Sequence, residues 1–362
     1  MSDFTTTIAR SKLTVGLDMG DRFTQVCVLD EDGEVMEEGR VTTTPRAFQQ
    51  RFAAMPPARL VLEAGTHSLW ASRLLGELGH EVIVANPRRL RFIYGNDSKN
   101  DRADANYLAR VGKLDPGLLH PVVHRSEEVM AHRALLRSRD ILVHSRARLI
   151  IHARSLVKPF GFKLPHCSTT AFVKKAQEHI PEILAPALGP VFGIISALTN
   201  QIRELDQKIE ALARESYRET ALLTQVQGVG TLTTLAFMLT IEDPSRFPRA
   251  RAVGSYLGLR PRQDESGTLK PQLHITKAGD KFLRHLLVEC AQYMLSSRGE
   301  DSDLKRWGLK LAERGGKAAK KRAVVAVARK LSVLLLRLWV TGEVYEPLRN
   351  AKRRGEKLPT PS

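Results

Sequence analysis

Residues 96–110 read NDSKNDRADANYLAR, and this stretch decides how the first third of the chain is interpreted. Asp101 and Asp104 lie three residues apart at the start of a helical pattern, so their carboxylates are expected to be neighbours on one helix surface. Two like charges at that spacing repel each other unless a cation lies between them. An acidic helix start on a solvated face, where it suits the helix dipole, is the plain alternative. The positions of the other acids in the first hundred residues decide between the two.

The residues before this stretch alternate between strand and helix patterns. Asp32 and Gly33 mark a hairpin between two of the strands. The predicted strands are residues 13–18, 23–29, 35–41, 59–63 and 81–85, and the predicted helices are residues 45–54 and 68–78. This order predicts a mixed α/β layer whose strand ends cluster at one edge. On the helix that begins at Asp101, we expect Ala103, Leu108 and Val111 to face the core.

Acidic residues recur where the predicted strands end. Asp18 ends the first strand and Glu63 ends the fourth, while Asp101 and Asp104 begin the helix after the last strand. Four converging carboxylates are suited to Mg²⁺ or Mn²⁺, because these ions prefer oxygen ligands. Two such ions can activate a nucleophile and stabilise the leaving oxygen in phosphoryl transfer. Asp97 is a rival ligand, which we rank as a loop residue or a supporting one.

The overall charge points to a polyanionic partner. The 362 residues include 56 Lys and Arg against 39 Asp and Glu, a net charge of +17. This balance favours nucleic acid over a merely basic soluble surface. The three cysteines are far apart and form no CxxC or Cys/His cluster, which argues against a zinc site and favours a reducing cytoplasm. The longest apolar run, residues 331–340, contains Arg337 and is too short to span a bilayer, so no membrane partner is expected.

The composition changes near residue 122. Residues 126–157 form one long helical pattern rich in arginine, and residues 192–217 form a second whose apolar residues recur at spacings of three and four. Residues 159–190 between them are rich in Pro and Gly and are expected to form a connection. The two helices predict an antiparallel hairpin arm. This arm is either a spacer with solvated charge or a dimerisation arm whose basic face binds nucleic-acid phosphates.

A Gly-Val-Gly turn at residues 228–230 lies between two helical patterns. Such a turn resembles a helix–hairpin–helix, in which exposed backbone amides at a helix N-terminus bind a DNA phosphate without reading sequence. Gly228 and Gly230 are therefore candidate nucleic-acid-binding residues, and a plain helical turn is the alternative.

Ser266 and Gly267 lie in a polar loop that basic residues surround. The basic residues are Arg260, Arg262, Lys270, Lys277, Lys281 and Arg284. Their charges would neutralise a scissile phosphate, although a Ser-Gly pair in a loop is ordinarily a turn. A serine nucleophile also needs a base or a metal, and His274 and Asp264 are candidates by proximity only. Ser255, in an apolar helix-like stretch, is a weaker nucleophile candidate.

These motifs together resemble the transposases of the IS one-hundred-ten family, including its IS eleven-eleven branch. The flanks VGLDMG, LEAGTH and KNDRADANYLA resemble the DEDD motifs of a RuvC-like, ribonuclease-H-type domain. Residues 258–267 and 275–284 resemble the family's C-terminal transposase domain. Two departures are Thr268-Leu269, where the family often has Gly-Lys, and Thr276, where it often has Ser. The resemblance covers nearly the whole chain.

The resemblance implies a DNA recombinase that cuts and rejoins strands. Asp18, Glu63, Asp101 and Asp104 would hold divalent metal, and Ser266 would form a covalent link to DNA, in a composite site for which sharing between subunits is a hypothesis. It also implies a structured bridge RNA that pairs with donor and target DNA, a dimer or tetramer, and a prokaryotic cytoplasmic setting at the nucleoid. The expected divisions are residues 1–121 (RuvC-like domain), 122–218 (coiled-coil arm), 219–348 (C-terminal transposase domain) and 349–362 (basic tail).

Three other functions remain open at this stage. A RuvC-like junction endonuclease would use water where a transposase would use Ser266. An actin-like kinase also opens with a motif such as residues 16–20, GLDMG, but the second glycine-rich phosphate loop of that class is not found in the sequence. A non-enzymatic nucleic-acid scaffold would bind without cutting.

Overall fold

The computed structural model describes residues 13–90, 101–263 and 273–350. The chain divides into two compact units, Met1–His124 and Arg125–Ser362. The division lies three residues after the boundary predicted at residue 121. The predicted arm and the predicted C-terminal domain both belong to the second unit.

The first unit contains a five-stranded sheet in the order β3-β2-β1-β4-β5. The strands are β1 (Thr14–Met19), β2 (Phe23–Leu29), β3 (Val35–Thr42), β4 (Arg59–Glu63) and β5 (Glu81–Ala85). β2 pairs antiparallel with both β1 and β3, whereas β4 runs parallel to β1 and β5 parallel to β4. The predicted strands are confirmed, and Gly33 takes a φ of +88° in the turn between β2 and β3, as a hairpin glycine does.

Helices cover both faces of this sheet. The helices are α1 (Pro45–Phe52), α2 (Ser68–Glu77) and α3 (Asp101–Leu114). Phe48, Phe52 and Leu75 of α1 and α2 are buried against alternate residues of β1, β2 and β4, such as Leu17. α3 packs against the opposite face, where the β2 residue Cys27 is buried. The result is a three-layer α/β/α arrangement in which β1, β2 and β4 are largely buried, whereas the edge strand β3 is largely exposed.

The face of α3 that meets the sheet includes the predicted Leu108 and Val111 but also residues that the pattern did not mark. Ala105 and Ala109 are buried together with Leu108, whereas Ala103 is half-buried. The small alanines are selected because the helix backbone lies against the sheet backbone. A Cβ on Gly16 of β1 would come within 1.9 Å of the Ala105 carbonyl oxygen. The sequence pattern did not predict this contact, because apolar spacing indicates which residues are buried but not how closely a helix backbone approaches a strand backbone.

Two long helices dominate the second unit and correspond to the two helices predicted for the arm. They are α4 (Glu127–Leu156) and α6 (Ala185–Ser216), which pack against each other. α6 begins seven residues before the predicted start at residue 192. Pro186 lies in its first turn, where a missing N–H costs nothing, and Pro190 lies inside the helix.

The segment predicted as a plain connection, residues 159–190, instead folds into a tip with its own core. A short helix, α5 (Phe172–Gln177), places Phe172 against Phe192 of α6 with their ring centroids 5.7 Å apart. Leu164, Ala176 and Leu188 are buried in the same cluster. Proline and glycine mark turns correctly here, but the aromatic pair that joins the turns is distant in sequence.

Residues 182–216 are long and apolar enough, by length and composition alone, to cross a membrane, with a mean hydropathy of 1.6 in the most apolar window. One such helix is weak evidence, because the core helix of a soluble protein passes the same test. In this unit Phe192 and Ile195 of α6 pack in the tip cluster, and Ile209 and Ala213 pack in the main core.

The rest of the second unit is helical. The helices are α7 (Thr220–Leu223), α8 (Thr231–Ile241), α9 (Ala252–Tyr256), α10 (Lys281–Leu295), α11 (Asp303–Ala312) and α12 (Gly316–Thr341). α8 is buried from Thr233 to Ile241 and lies in the centre of the main core with α10 and α12. The ends of α4 and α6 nearest to it contribute Val129 and Ala213 to that core, so the arm and the helical region share one hydrophobic interior.

Candidate active site

The parallel register of β1 and β4 brings two of the predicted acids to one edge of the sheet. Leu17 of β1 is paired with Leu62 of β4, so Asp18 and Glu63 occupy the next matching positions on the two neighbouring strands. Both lie beside a cavity of about 420 Å³. Asp104 of α3 lines the same cavity. Three of the four acids expected to form the DEDD set therefore reach one space from three separate elements.

Close helix–sheet packing positions Asp104 relative to the strands. α3 contacts β1 at Gly16 and contacts β4 where a Cβ on Gly112 would lie 2.3 Å from Val61 Cγ2. These two glycines lie on opposite partners of the same interface, one on a strand and one on the helix. Asp104 is the neighbour of Ala105, the residue at the closest contact, so its backbone is held by the packing.

Hydrogen bonds fix the two turns that wall the cavity. After β4, Ser68 Oγ donates to the Gly65 carbonyl at 2.8 Å and accepts from the Gly65 amide at 3.0 Å. After β1, Thr43 Oγ1 donates to the Gly20 carbonyl at 2.8 Å, and Thr24 Oγ1 lies 2.8 Å from Thr43 Oγ1. Ser68, Thr24 and Thr43 are all buried. The walls of the cavity are therefore held by buried, satisfied polar groups, which favours a rigid site.

His67 also lines the cavity, and sequence reasoning did not single it out although it ends the quoted flank LEAGTH. Trp70 Nε1 donates to His67 Nδ1 at 3.2 Å. Because the indole N–H can only donate, Nδ1 is an acceptor and the neutral ring carries its proton on Nε2. His67 Nε2 lies 3.2 Å from Asp21 Oδ1, whose side chain is 93% exposed. The ring therefore presents an N–H at the edge of the acidic cavity.

The donor chemistry of this cavity fits a divalent cation that prefers oxygen ligands. Asp18, Glu63 and Asp104 supply carboxylates, and His67 lies beside them as an N–H hydrogen-bond donor and not as a ligand. Within the described parts of the chain, however, no group of three or more His, Cys, Asp or Glu side chains is arranged to hold a metal ion. The side chain of Asp101 lies outside the described residues, although its backbone begins α3. Asp97, the rival ligand, also lies outside them.

Ser266 lies outside the described residues, as do Asp264 and Lys270, but the residues that flank this segment are described. Pro261 and Ile275 form an antiparallel bridge. The Arg262 amide donates to the His274 carbonyl at 2.9 Å, and the Thr276 amide donates to the Arg260 carbonyl at 2.9 Å. The backbone segments that flank Ser266, residues 260–262 and 274–276, are therefore hydrogen-bonded to each other.

Two protein-family models match the chain in the order of these two motif blocks. A DEDD transposase model of IS110 matches residues 15–160, and a model described as the transposase IS116/IS110/IS902 family matches residues 220–306. A putative transposase of Sinorhizobium fredii, y4pF/y4sB, is 31% identical over 310 residues, which cover 83% of this chain and 77% of that protein. This chain is a transposase of the IS110 family.

Other relatives of the transposase point the same way. The transposase for insertion sequence element IS1111A of Coxiella burnetii is 29% identical and covers 91% of this chain and 90% of its own length. The pilin gene-inverting protein of Moraxella bovis is 28% identical and covers 70% of each chain. The transposase is thus an enzyme that cuts and rejoins DNA, which excludes the kinase and the non-enzymatic scaffold.

The basic residues predicted around Ser266 fall into two groups. Arg262, Lys277 and Lys281 are exposed. Arg284 Nη1 instead donates to the carbonyls of Leu257, at 3.1 Å, and of Ala278, at 2.8 Å. Its guanidinium therefore supports the turn before α10. Arg260, which is exposed, donates to the side-chain oxygen of Gln263. Lys277 takes a φ of +54°, a left-handed conformation that is uncommon outside glycine.

Asp280 of the transposase joins this turn to the arm, a role that the sequence did not show. Its Oδ1 accepts from the Leu283 amide at 2.8 Å and caps α10. Its Oδ2 accepts from Arg133 at 2.7 Å and from Arg137 at 2.6 Å, both on α4. Burial alone would raise the pKa of Asp280, but the amide and the two guanidinium groups outweigh it and hold the pKa below its ordinary value.

Most arginines of α4 have partners within the second unit, which favours the spacer interpretation for this face of the arm. Besides Arg133 and Arg137, Arg139 pairs with Asp206 at 2.8 Å. Arg146 is buried and donates to Thr199 Oγ1 at 3.3 Å. Arg154 donates to two backbone carbonyls, those of Leu164 and Pro165. Arginine content alone did not distinguish a phosphate-binding surface from an arm held together by charge.

The Gly-Val-Gly turn lies between α7 and α8, as predicted. Gly228 takes a φ of +81°, and a Cβ there would lie 2.6 Å from Tyr293 Cδ1 of α10. Gly230 is exposed and is the N-cap of α8. A role in phosphate binding stays a prediction for both glycines. Ser255, the weaker nucleophile candidate, is exposed on α9.

Proposed function

We propose that the transposase cuts a DNA strand by forming a covalent bond between Ser266 and the DNA, and that the four acids hold Mg²⁺ or Mn²⁺ for the same step. The observation that carries this proposal is the cavity at the ends of β1 and β4, which Asp18, Glu63 and Asp104 line from three elements. Asp101, one helical turn before Asp104, completes the proposed set.

We assign the first unit to the RuvC-like, ribonuclease-H-type class. Three antiparallel strands come first, and two parallel strands joined through helices follow on the other side of β1. The acids lie at the ends of β1 and β4 and on the helix that crosses them. This topology supports the assignment because it places acids from distant parts of the chain at one sheet edge.

A bound divalent ion supplies Lewis-acid stabilisation of charge on the phosphate and lowers the pKa of a coordinated hydroxyl. Asp18, Glu63, Asp101 and Asp104 would hold it. By themselves, these carboxylates repel a DNA phosphate, so the negative cavity admits the strand only when its charge is balanced. Since three of the side chains already line one cavity, cation binding requires side-chain rearrangement and no change of fold.

The chemistry of the proposed step balances without an outside energy source. Ser266 Oγ forms a bond to phosphorus while a P–O bond of the DNA strand breaks, so one phosphoester replaces another. The hydroxyl proton passes to a base, and the departing DNA oxygen receives a proton. In rejoining, a DNA hydroxyl attacks the phosphoserine and the serine hydroxyl is restored.

We assign His67 a positioning contact in this step. Trp70 holds its Nδ1 as an acceptor, so Nε2–H is available as a donor at the edge of the cavity. Asp21, the present acceptor, is almost fully exposed and can yield to a phosphate oxygen. A neutral imidazole donor would orient the phosphate without adding a charge that competes with a bound cation.

We also propose that a bridge RNA directs the transposase to donor and target DNA and that it acts as a dimer or tetramer. The net charge of +17 supports a large polyanionic partner. The described residues contain no Cys/His group that could form a zinc finger. Recombination of donor and target DNA that proceeds unchanged after RNase treatment of the transposase would exclude the RNA.

The decisive experiment is mass spectrometry of a trapped protein–DNA adduct. Wild-type transposase with Mg²⁺ is expected to give a peptide from residues 263–273 that carries a nucleotide on Ser266. Ser266→Ala is expected to give none, while Ser255→Ala is the matched control and should keep the adduct. Asp18→Asn should also give none if the acids serve the same step.

One outcome favours the RuvC-like junction endonuclease. In that case Ser266→Ala cuts DNA at the wild-type rate, no adduct forms, and Asp18→Asn still abolishes cutting. Water is then the nucleophile, the acids keep their assigned role, and the covalent step is wrong.

A further inference from the structure

The second unit contains a cleft of about 1130 Å³, much larger than the acidic cavity. α11 and α12 form two of its walls. The two hydrogen-bonded segments that flank Ser266 form another wall, through Pro261 and Ile275. Residues 343–350, which follow α12, close the remaining side. Whatever occupies this cleft lies beside the chain that leads to Ser266.

The cleft is a feature of the packed structure and does not result from loose packing of its helices. α11 contacts α12 at Gly308, where a Cβ would lie 2.5 Å from Val327 Cγ2. Residues 343–350 are tied down as well. The Asp303 amide donates to the Pro347 carbonyl at 2.7 Å, and the Asn350 amide donates to Asp303 Oδ2 at 2.6 Å.

The charge of the cleft is strongly positive. Eight cationic side chains and three carboxylates line it. Of the carboxylates, Glu343 already accepts from Arg337 at 2.6 Å and from Arg349 at 2.8 Å. In the described parts of the chain, no hydrogen bond or ion pair engages the side chains of Arg322 and Arg329, which are exposed on α12. These two cations are available to an anion.

The spacing of the cations follows one face of α12. Arg322 and Arg329 lie seven residues apart, which is about two turns and about 10 Å along the axis. Arg337 continues the row two turns further on. Ala326 and Val333, at intermediate turns of the same face, also line the cleft. A row of separated cations along an apolar strip suits a chain with repeated negative charges.

The floor of the cleft is apolar and contains an aromatic ring. Leu304, Leu311 and Val333 line it together with Trp307. Lys330 Nζ lies 3.7 Å from the centroid of the Trp307 ring, and burial lowers the pKa of Lys330. Cationic rims that track a backbone, combined with aromatic and apolar surfaces for bases, are the features of sites for single-stranded nucleic acid.

We infer that this cleft binds an unpaired segment of the DNA strand next to the bond that Ser266 cuts. Its bases lie on the apolar floor with Trp307, and its phosphates bind Arg322 and Arg329. A duplex keeps its bases stacked inside and would leave the floor unused. The choice of DNA rests on the proposed function, whereas the cleft itself calls for a flexible single-stranded polynucleotide.

The test uses the full-length transposase and fluorescence anisotropy. The probes are a labelled 20-nucleotide DNA strand of mixed sequence, the corresponding duplex and an RNA of the same sequence. The cleft variant is Arg322→Gln/Arg329→Gln, in which glutamine keeps the side-chain stem that packs beside Gly254. The matched control is Arg298→Gln/Lys310→Gln, which removes the same charge from exposed residues of this unit outside the cleft. Circular dichroism checks that all variants fold.

The cleft variant is expected to bind single-stranded DNA at least about tenfold more weakly, and the control to stay within about twofold. Loss of two phosphate contacts should also reduce the slope of log K against log salt by about 1.4, since each contact contributes about 0.7 on a single strand. A smaller change is expected for the duplex. Trp307→Leu should weaken binding to normal DNA while leaving binding to an abasic strand unchanged.

Three results would overturn the inference. Equal losses in cleft and control variants would mean that only total charge matters. Equal losses for duplex and single strand would exclude the base-binding floor. A loss confined to RNA would make RNA the occupant. Ser266→Ala is expected to bind single-stranded DNA like wild type, so loss of the adduct and failure of the cleft are separate results.

Discussion

The acidic cavity of the first unit and the basic cleft of the second are built in opposite ways. The cavity is small, and its acids come from strand ends and a helix held by backbone contacts. The cleft is more than twice as large, and five of its eight cations are exposed side chains on α12. A site whose side chains are positioned by backbone packing should lose activity with almost any substitution. A row of flexible cations should instead lose affinity for nucleic acid a little with each charge removed. Single substitutions should therefore have large effects on strand exchange in the acidic cavity and smaller, additive effects on binding in the basic cleft.

The largest expected effect is at the strand ends. Asp18→Asn or Glu63→Gln should reduce strand exchange at least about 100-fold, the scale of losing one group that stabilises transition-state charge. DNA binding, which depends on cations elsewhere, should be unchanged. A strand-exchange assay and an anisotropy titration measure the two quantities. Glu77→Gln, an exposed acid outside the cavity, is the control, and a similar loss in that variant would contradict the assignment.

A comparable effect, on stability and not on chemistry, is expected at Asp280. This side chain is only 9% exposed, so Asp280→Ala leaves Arg133 and Arg137 without their partner. The free energy of unfolding should fall by about 3 kcal/mol, the cost of breaking a buried ion pair. Urea unfolding followed by circular dichroism measures it.

The same residue predicts a dependence of stability on pH. The pKa of Asp280 is lower in the folded state than the unfolded value of about 3.9. Its contribution to stability is therefore complete above that pH and is lost as the pH falls through the folded-state pKa. Asp280→Asn should flatten this acid limb of the stability curve. An unchanged limb would show that other carboxylates control acid unfolding.

A smaller effect tests the contact that positions Asp104. Gly16→Ala places a methyl group against the Ala105 carbonyl, and overpacking of this kind costs about 2 kcal/mol. Strand exchange should fall as well, because α3 must move away from β1. Gly76→Ala in α2 has nothing within 4 Å of its new methyl group and should raise stability by about 0.5 kcal/mol. If both variants behave alike, the cavity does not depend on backbone contact.

The smallest effect is expected at His67. Loss of one hydrogen bond to a charged phosphate should slow strand exchange by about tenfold in His67→Ala. His67→Gln retains an N–H donor and should recover part of the rate. Trp70→Phe, which removes the bond that fixes the ring proton and also part of a ring that packs against Phe48, should give an intermediate rate. Wild-type rates in all three variants would remove His67 from the proposed step.

The sequence predicted the first unit well because its rules are local. Short apolar runs that end at turn residues gave strands such as Phe23–Leu29 and Arg59–Glu63 with the observed bounds. Acids at strand ends then converge by topology alone. His67 and Trp70 were missed because a three-residue spacing on a helix start carries no mark of a shared hydrogen bond.

The second unit was predicted less completely because its contacts join distant residues. The pair of Phe172 and Phe192 makes a core out of a segment that looks like a linker. Asp280 meets Arg133 across 147 positions of sequence. The cleft is lined by residues between positions 251 and 350. The spacing of apolar residues in a sequence predicts helices but does not predict a cavity between them.

The two-turn spacing of Arg322, Arg329 and Arg337 has a practical consequence for redesign. The three arginines are spaced about two helical turns apart along α12. Adding or removing one of them should therefore change the affinity for a DNA strand by the contribution of one phosphate contact. Such edits leave the acids of the first unit untouched. For a recombinase adapted to new DNA, this helix is the place to tune residence time independently of cutting.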